Sequence, residues 1–162
     1  MFAAELRAKA EQLLADARAK DLKIATAESC TGGLIAALLT EIPGSSDVVE
    51  RGFVTYSNEA KMDLLGVPQD VLVDYGAVSA ATARAMAAGA LVNSRADLVV
   101  SVTGIAGPGG GTAEKPVGLV HLAAARGSRM IHRECRFGDI DREQVRLKSV
   151  EVALELLRAL LD

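Results

Sequence analysis

Ser29 lies in Ala27-Glu28-Ser29-Cys30-Thr31-Gly32-Gly33, between a short apolar run at residues 23–27 and a second one at residues 34–39. That pattern reads as a strand, a turn and the start of a helix, where unsatisfied backbone amides can hold an anion or a developing oxyanion. A serine there can attack a carbonyl. Taken by itself, Ser29 or Thr31 is more simply the cap of the following helix. Cys30 competes as nucleophile, but a thiol needs a histidine or cation to lower its pKa, and His121 and His132 lie elsewhere, in a hairpin-like stretch. Cys30 is therefore expected to be a small packed residue. Neither histidine has a partner at metal-ligand spacing, so a histidine triad lacks support and no metal is expected.

A serine without histidine can use a lysine whose ammonium pKa is depressed by burial or a neighbouring cation. Lys61 is the candidate, in Tyr56-Ser57-Asn58-Glu59-Ala60-Lys61, with the Tyr56 hydroxyl placed to relay a proton or orient the amine. Alone, a lysine on a short helix reads as a solvated surface residue. Thr103-Gly104-Ile105-Ala106-Gly107-Pro108 and the glycines that follow form a loop able to approach a ligand closely or nest an anion. The loop lacks the Gly-Lys-Ser/Thr ending of a nucleotide P-loop, and its prolines oppose the helix that a dinucleotide fingerprint requires. A plain flexible connection remains an equal reading of it. Among Arg133, Arg136, Arg142 and Arg146, one could receive a phosphate, although each singly reads as a solvated charge.

The elements that must position these residues follow from periodicity. Helical spacing covers residues 3–19, 58–65, 79–93 with Ser79 as cap, and 142–161; strand-like runs cover 23–27, 48–56, 97–102, 117–125 and 130–137. The last two runs are separated by Arg126-Gly127-Ser128-Arg129, short enough for a hairpin. The expected fold is an α/β three-layer α/β/α sandwich, with a mixed, mostly parallel sheet and one antiparallel hairpin. Ligands of such sheets gather beyond the carboxyl ends of the parallel strands, where residues 28–33, 56–61 and 103–111 would converge.

The chain has 162 residues, the size of one domain over 1–162, with a formal net charge of −3 and no block of like charge. Neither nucleic acid nor a membrane surface is an expected partner, and an anionic ligand would have to be held locally. Half the residues are apolar but only 3% are aromatic, which favours closely approached elements lined by Val, Leu and Ala. Two cysteines far apart suit a reducing compartment, and neither a secretory signal nor a membrane span is visible, so the cytoplasm is expected.

Taken together, the Ser29 motif, Gly52-Phe53-Val54-Thr55-Tyr56-Ser57-Asn58-Glu59-Ala60-Lys61, Gly76-Ala77-Val78-Ser79, Gly104-Ile105-Ala106-Gly107-Pro108 and Lys115-Pro116-Val117-Gly118 closely resemble the nicotinamide-nucleotide amidase family, also called the CinA carboxy-terminal domain family. The resemblance runs from about Leu6 to Leu160. It implies hydrolysis of the carboxamide of nicotinamide mononucleotide to nicotinate mononucleotide and ammonia, with Ser29 as nucleophile, Lys61 as base, Tyr56 as its partner and no cofactor. Expected substrate contacts are Cys30, Thr31, Gly32, Gly33, Ser46, Asn58, Thr103, Gly104, Ile105, Ala106, Gly107 and Arg142. The glycine loop and Thr31 rank above Arg142 as phosphate donors. A homodimer or higher homo-oligomer is expected from the resemblance alone. The molybdopterin-binding-like or pyrophosphatase domain joined to some family members is not expected here, because the chain opens on its own helix. Two other functions remain open: a non-catalytic nucleotide-binding module linked to competence or recombination, and an amidase acting on other carboxamides.

Overall fold

The computed structural model describes residues 1–162. Five strands form one sheet: β1 (Ile24–Glu28), β2 (Val49–Val54), β3 (Leu98–Gly104), β4 (Leu119–Arg126) and β5 (Arg129–Arg136). They lie in the order β2-β1-β3-β4-β5, with β1 parallel to both its neighbours and β4 antiparallel to β3 and β5. Four strands thus point one way and β4 alone runs against them. Every residue of β1 is buried, the polar Thr26 and Glu28 included, as a strand covered on both faces requires.

Six helices cover the two faces: α1 (Ala4–Ala19), α2 (Leu34–Glu41), α3 (Asn58–Leu65), α4 (Gln69–Tyr75), α5 (Ala80–Val92) and α6 (Arg142–Ala159). On one face α1, α2 and α6 pack Leu13, Leu38 and Leu154 against Leu98, Val100, Val102 and Leu122. On the other, α3, α4 and α5 pack Leu65, Leu72 and Met86 against Ala25, Ala27, Val99 and Ala123. The small side chains on this second face let α5 lie close to the sheet. The layers therefore match the sandwich that periodicity implies. No helix is long and apolar enough to cross a membrane.

Some boundaries differ from those expected. The run at residues 48–56 pairs only over Val49–Val54, which leaves Thr55 and Tyr56 beyond the sheet, and β3 extends through Gly104 because Gly104 still faces Val120. A one-turn 3₁₀ helix (Ser45–Asp47) and α4 are additional elements. Pro68, which marks the stop of α3, also serves as N-cap of α4, a dual use that a stop signal does not reveal.

The α3–α5 crossing depends on Gly89. A Cβ placed there would sit 1.8 Å from the Leu65 carbonyl oxygen. Helix propensity alone predicts that Gly89→Ala stabilises α5 by about 1 kcal/mol. Overpacking against rigid backbone should win, and Gly89→Ala is expected to destabilise the protein by about 1–3 kcal/mol. Thermal or urea unfolding reads the sign directly, and a rise in stability would refute this account of the crossing.

Candidate active site

The carboxyl ends of the three parallel strands open into one pocket. Ser29 and Cys30 follow β1, Tyr56, Asn58 and Lys61 follow β2, and Thr103, Gly104 and Ala106 end or follow β3, with Arg142 closing the side. The expected convergence is what the topology produces.

Lys61 is 1% exposed despite standing on an eight-residue helix. Its Nζ lies 3.0 Å from Ser29 Oγ and donates to the Thr55 carbonyl oxygen at 2.9 Å. The surface reading of Lys61 is thereby overturned: the chain leaves β2 at Thr55, and Ser57 caps α3 by accepting from the Ala60 N–H, which turns the first coil of the helix inward. No carboxylate forms an ion pair with Lys61. Burial pushes its ammonium pKa below the ordinary lysine value, only partly offset by the neighbouring Cys30.

Ser29 does not cap α2. The helix starts from Gly33 at φ 104°, a left-handed conformation that favours glycine, with no cap from that residue. The fully buried Glu28 carboxylate caps it instead, accepting from the Ile35 N–H at 2.9 Å, the Ala36 N–H at 3.0 Å and the Thr31 hydroxyl at 2.7 Å. Sequence reasoning missed Glu28. The available signal was an acid ending an apolar strand just before a helix opened by two glycines. Arg146 was expected to be solvated or to meet phosphate, but it braces the same turn: its Nε donates to the Cys30 carbonyl at 3.2 Å and its Nη2 to the Thr31 carbonyl at 3.1 Å.

Tyr56 is 61% exposed, and its hydroxyl accepts from Arg142 Nη2 at 2.9 Å while Arg142 Nη1 donates to the Gly107 carbonyl at 2.7 Å. The hydroxyl is thus bonded to Arg142 and has no bond to Lys61. Arg142 opens α6, whose cap Asp141 accepts from the Gln144 N–H at 2.8 Å. Cys30 lines the pocket, yet burial pushes its thiol up to about 12, which fits a packed residue and not a nucleophile. The Thr103 hydroxyl donates to the Ala77 carbonyl at 2.7 Å, tying the β3 end to the pocket wall.

Other expected contacts stand behind the pocket or away from it. Thr31 is fully buried with its hydroxyl on Glu28, and Gly32 and Gly33 supply the backbone of the turn. Ile105 is held by its N–H on the Leu119 carbonyl, and Gly107 reaches the site through its carbonyl on Arg142. Ser46 is exposed in the 3₁₀ turn leading into β2, at the opposite end of that strand. A six-residue strand spans roughly 17 Å, so Ser46 does not join the pocket of its own chain. The histidines pair with each other across β4 and β5, Nδ1 of His121 lying 2.9 Å from Nε2 of His132, and burial lowers both pKa values. No group of three His, Cys, Asp or Glu side chains is arranged to hold a metal.

The model of the CinA C-terminal domain matches residues 6–161. The chain is 48% identical over 159 residues to the nicotinamide-nucleotide amidohydrolase PncC of Escherichia coli K12, covering 97% of this chain and 95% of that protein. A longer protein, the CinA-like protein of Chloroherpeton thalassium, is 52% identical over 149 residues, and a competence-damage relative from Caldicellulosiruptor bescii is 55% identical over 139 residues. The chain spans about a third of these two proteins, 35% and 34% of their lengths. Among solved structures, the competence/damage inducible protein CihA from Agrobacterium tumefaciens superposes with a TM-score of 0.98 at 55% identity, covering 100% of this chain and 99% of that one. A CinA superfamily protein from Escherichia coli superposes with a TM-score of 0.91 at 34% identity, covering 99% of this chain and 94% of that one. Matched in sequence across nearly all its length and in fold across all of it, the chain belongs to the CinA C-terminal domain family.

Proposed function

We propose that this chain hydrolyses the carboxamide of nicotinamide mononucleotide through a Ser29 acyl-enzyme, with Lys61 as the base. The observation that carries the reading is the 3.0 Å approach of Lys61 Nζ to Ser29 Oγ, in a buried setting with no carboxylate to hold the lysine charged. The substrate class is supported by the PncC relative, named for that activity.

A neutral amine has two N–H groups and one lone pair. With one N–H on the Thr55 carbonyl, the lone pair can take the Ser29 proton as Oγ attacks the amide carbon. The new oxyanion needs donors close to Oγ. The Ser29 N–H is engaged by the Val102 carbonyl and the Gly32 N–H by the Ser29 carbonyl, which leaves the N–H groups of Cys30 and Thr31 for that role. Lys61, now protonated, returns the proton to the departing nitrogen, and ammonia leaves. Water then attacks the acyl carbon with Lys61 again as base, releasing nicotinate mononucleotide and restoring Ser29.

A neutral Lys61 also suits the ligand, because the pyridinium carries a fixed positive charge that a buried ammonium would repel. The Tyr56 hydroxyl accepts from Arg142, so its own proton is left to assist the leaving nitrogen. The remaining Arg142 N–H groups and the backbone amides of the glycine loop hold the phosphate. The two free buried thiols suit a reducing compartment, for which the cytoplasm is our assignment. A homo-oligomer is carried over from the family resemblance.

Ammonia release from nicotinamide mononucleotide should fall on the order of 10³-fold or more in Ser29→Ala and in Lys61→Met, with the double variant scarcely worse than either. Turnover in Ser29→Ala comparable to wild type would exclude the acyl-enzyme. Binding without turnover by wild type would favour a nucleotide-binding module.

In Tyr56→Phe, kcat should drop by about 10–100-fold with KM little altered; a change confined to KM would restrict Tyr56 to binding.

The wild-type kcat/KM should rise with pH through the depressed Lys61 pKa, as neutral amine accumulates. Stability carries the same sign. Between the folded pKa of Lys61 and the ordinary lysine value the unfolded chain binds more protons, so wild type gains stability relative to Lys61→Met as pH rises. Urea unfolding across that window measures the difference, and a wild type that loses stability relative to Lys61→Met as pH rises would show that Lys61 is held charged.

A further inference from the structure

We propose that Arg146 is a positioning residue for the amidase reaction, fixing the peptide after Cys30 so that the Thr31 N–H becomes an oxyanion donor; this rests on the serine acyl-enzyme reading above. The guanidinium holds two consecutive carbonyls of the nucleophile turn, Cys30 through Nε at 3.2 Å and Thr31 through Nη2 at 3.1 Å. Its planar fork and permanent charge make it the side chain best suited to fix both at once.

The Cys30 carbonyl and the Thr31 N–H belong to one peptide group. In a trans peptide the two point in opposite directions. Arg146 draws the carbonyl towards α6, which packs on the face of the sheet that carries Leu98, Val100 and Val102. The Thr31 N–H is thereby turned away from that face. Ala25 and Ala27 point to the other face, against α3 and α5, and alternation from them places Ser29 there with Lys61 of α3.

Thr31 is pinned on every other group. Its hydroxyl donates to Glu28 at 2.7 Å, and its carbonyl accepts from Arg146 and from the Leu34 N–H at 3.1 Å. Only its N–H is left without a partner in the chain. A charged donor on the Cys30 carbonyl also polarises the peptide, strengthening that N–H as a donor to a growing negative charge. Arg146 never touches the substrate in this account. It acts through the backbone, and its contribution appears only as charge develops on the substrate oxygen.

The test compares wild type, Arg146→Gln and Arg146→Lys on nicotinamide mononucleotide and on its thioamide analogue, whose sulfur accepts hydrogen bonds weakly. Arg146→Gln should lower kcat on the amide at least about tenfold, less than the 10²–10³-fold typical of losing a donor outright. KM should stay within about threefold, the loss on the thioamide should be smaller, and Arg146→Lys should recover part of the rate. Equal losses on both substrates, a change confined to KM, or wild-type kcat would overturn the proposal. Thermal melts accompany each variant, and Arg146→Lys, which keeps the stem and charge, carries the comparison if Arg146→Gln unfolds.

If wild type turns over neither substrate, the proposed function fails. The rate of Ser29 phosphonylation by a fluorophosphonate then reads the inference separately, since the phosphoryl oxygen develops similar charge. A tenfold slower reaction in Arg146→Gln supports it and an equal rate overturns it. Wild type that resists labelling overturns both.

Discussion

The site depends first on the buried Glu28 carboxylate at the amino end of α2. A helix start carries unsatisfied N–H groups, and a serine or threonine in the preceding turn would ordinarily be recruited to cap them. Glu28 meets two of them from the end of β1 and holds the Thr31 hydroxyl as well. Ser29 is released from capping and can face Lys61. The same contacts bind β1 to α2 through a charge-assisted network in the interior, where such hydrogen bonds are strongest and their loss most costly. The turn that carries Ser29 is consequently tied to the helix by hydrogen bonds of its own.

The second constraint is the isolation of Lys61. Burying an ammonium without an acidic partner is unfavourable, and the protein resolves this by lowering the affinity of Lys61 for its proton. Glu28 is negative and close in sequence to Ser29, yet its oxygens are occupied by three donors on the α2 side of the sheet. The acid serves the helix and the amine serves the serine. Strand alternation keeps the two on opposite faces, so the sheet itself separates a carboxylate from an amine whose charged form it would otherwise favour.

Much of this was legible before the structure. The apolar periods located all five strands and five of the six α-helices, and the glycine-rich turns placed three segments at one end of the sheet. What escaped was of a different kind. Lys61 is named as the base by its motif, yet its burial is not legible, because that depends on the direction in which α3 leaves β2, a property of the corner at Thr55 and Tyr56 and not of the helix. Glu28 and Arg146 looked unremarkable because their partners are backbone groups, and a backbone amide or carbonyl leaves no mark on composition. Tyr56 was paired with Lys61 on sequence proximity, whereas the structure bonds it to Arg142, 86 residues further along. Ser46 stands among the expected substrate contacts, although β2 carries it to the far end of the sheet.

The antiparallel course of β4 has a consequence for how such a fold can diversify. Because β3 ends and β4 begins at the same edge, the glycine loop leaves and re-enters the sheet at nearly one point, closed by the Ile105 N–H on the Leu119 carbonyl and the Gly118 N–H on the Ile105 carbonyl. Segments clamped at their base tolerate insertion and deletion well, since lengthening them adds little closure entropy. Lineages could therefore remodel the stretch between residues 106 and 117 while the Ser29–Lys61 pair, mounted on β1 and α3, goes undisturbed. Beyond Gly107, whose carbonyl holds Arg142, the loop's length is thus free to vary without moving the two elements that carry Ser29 and Lys61.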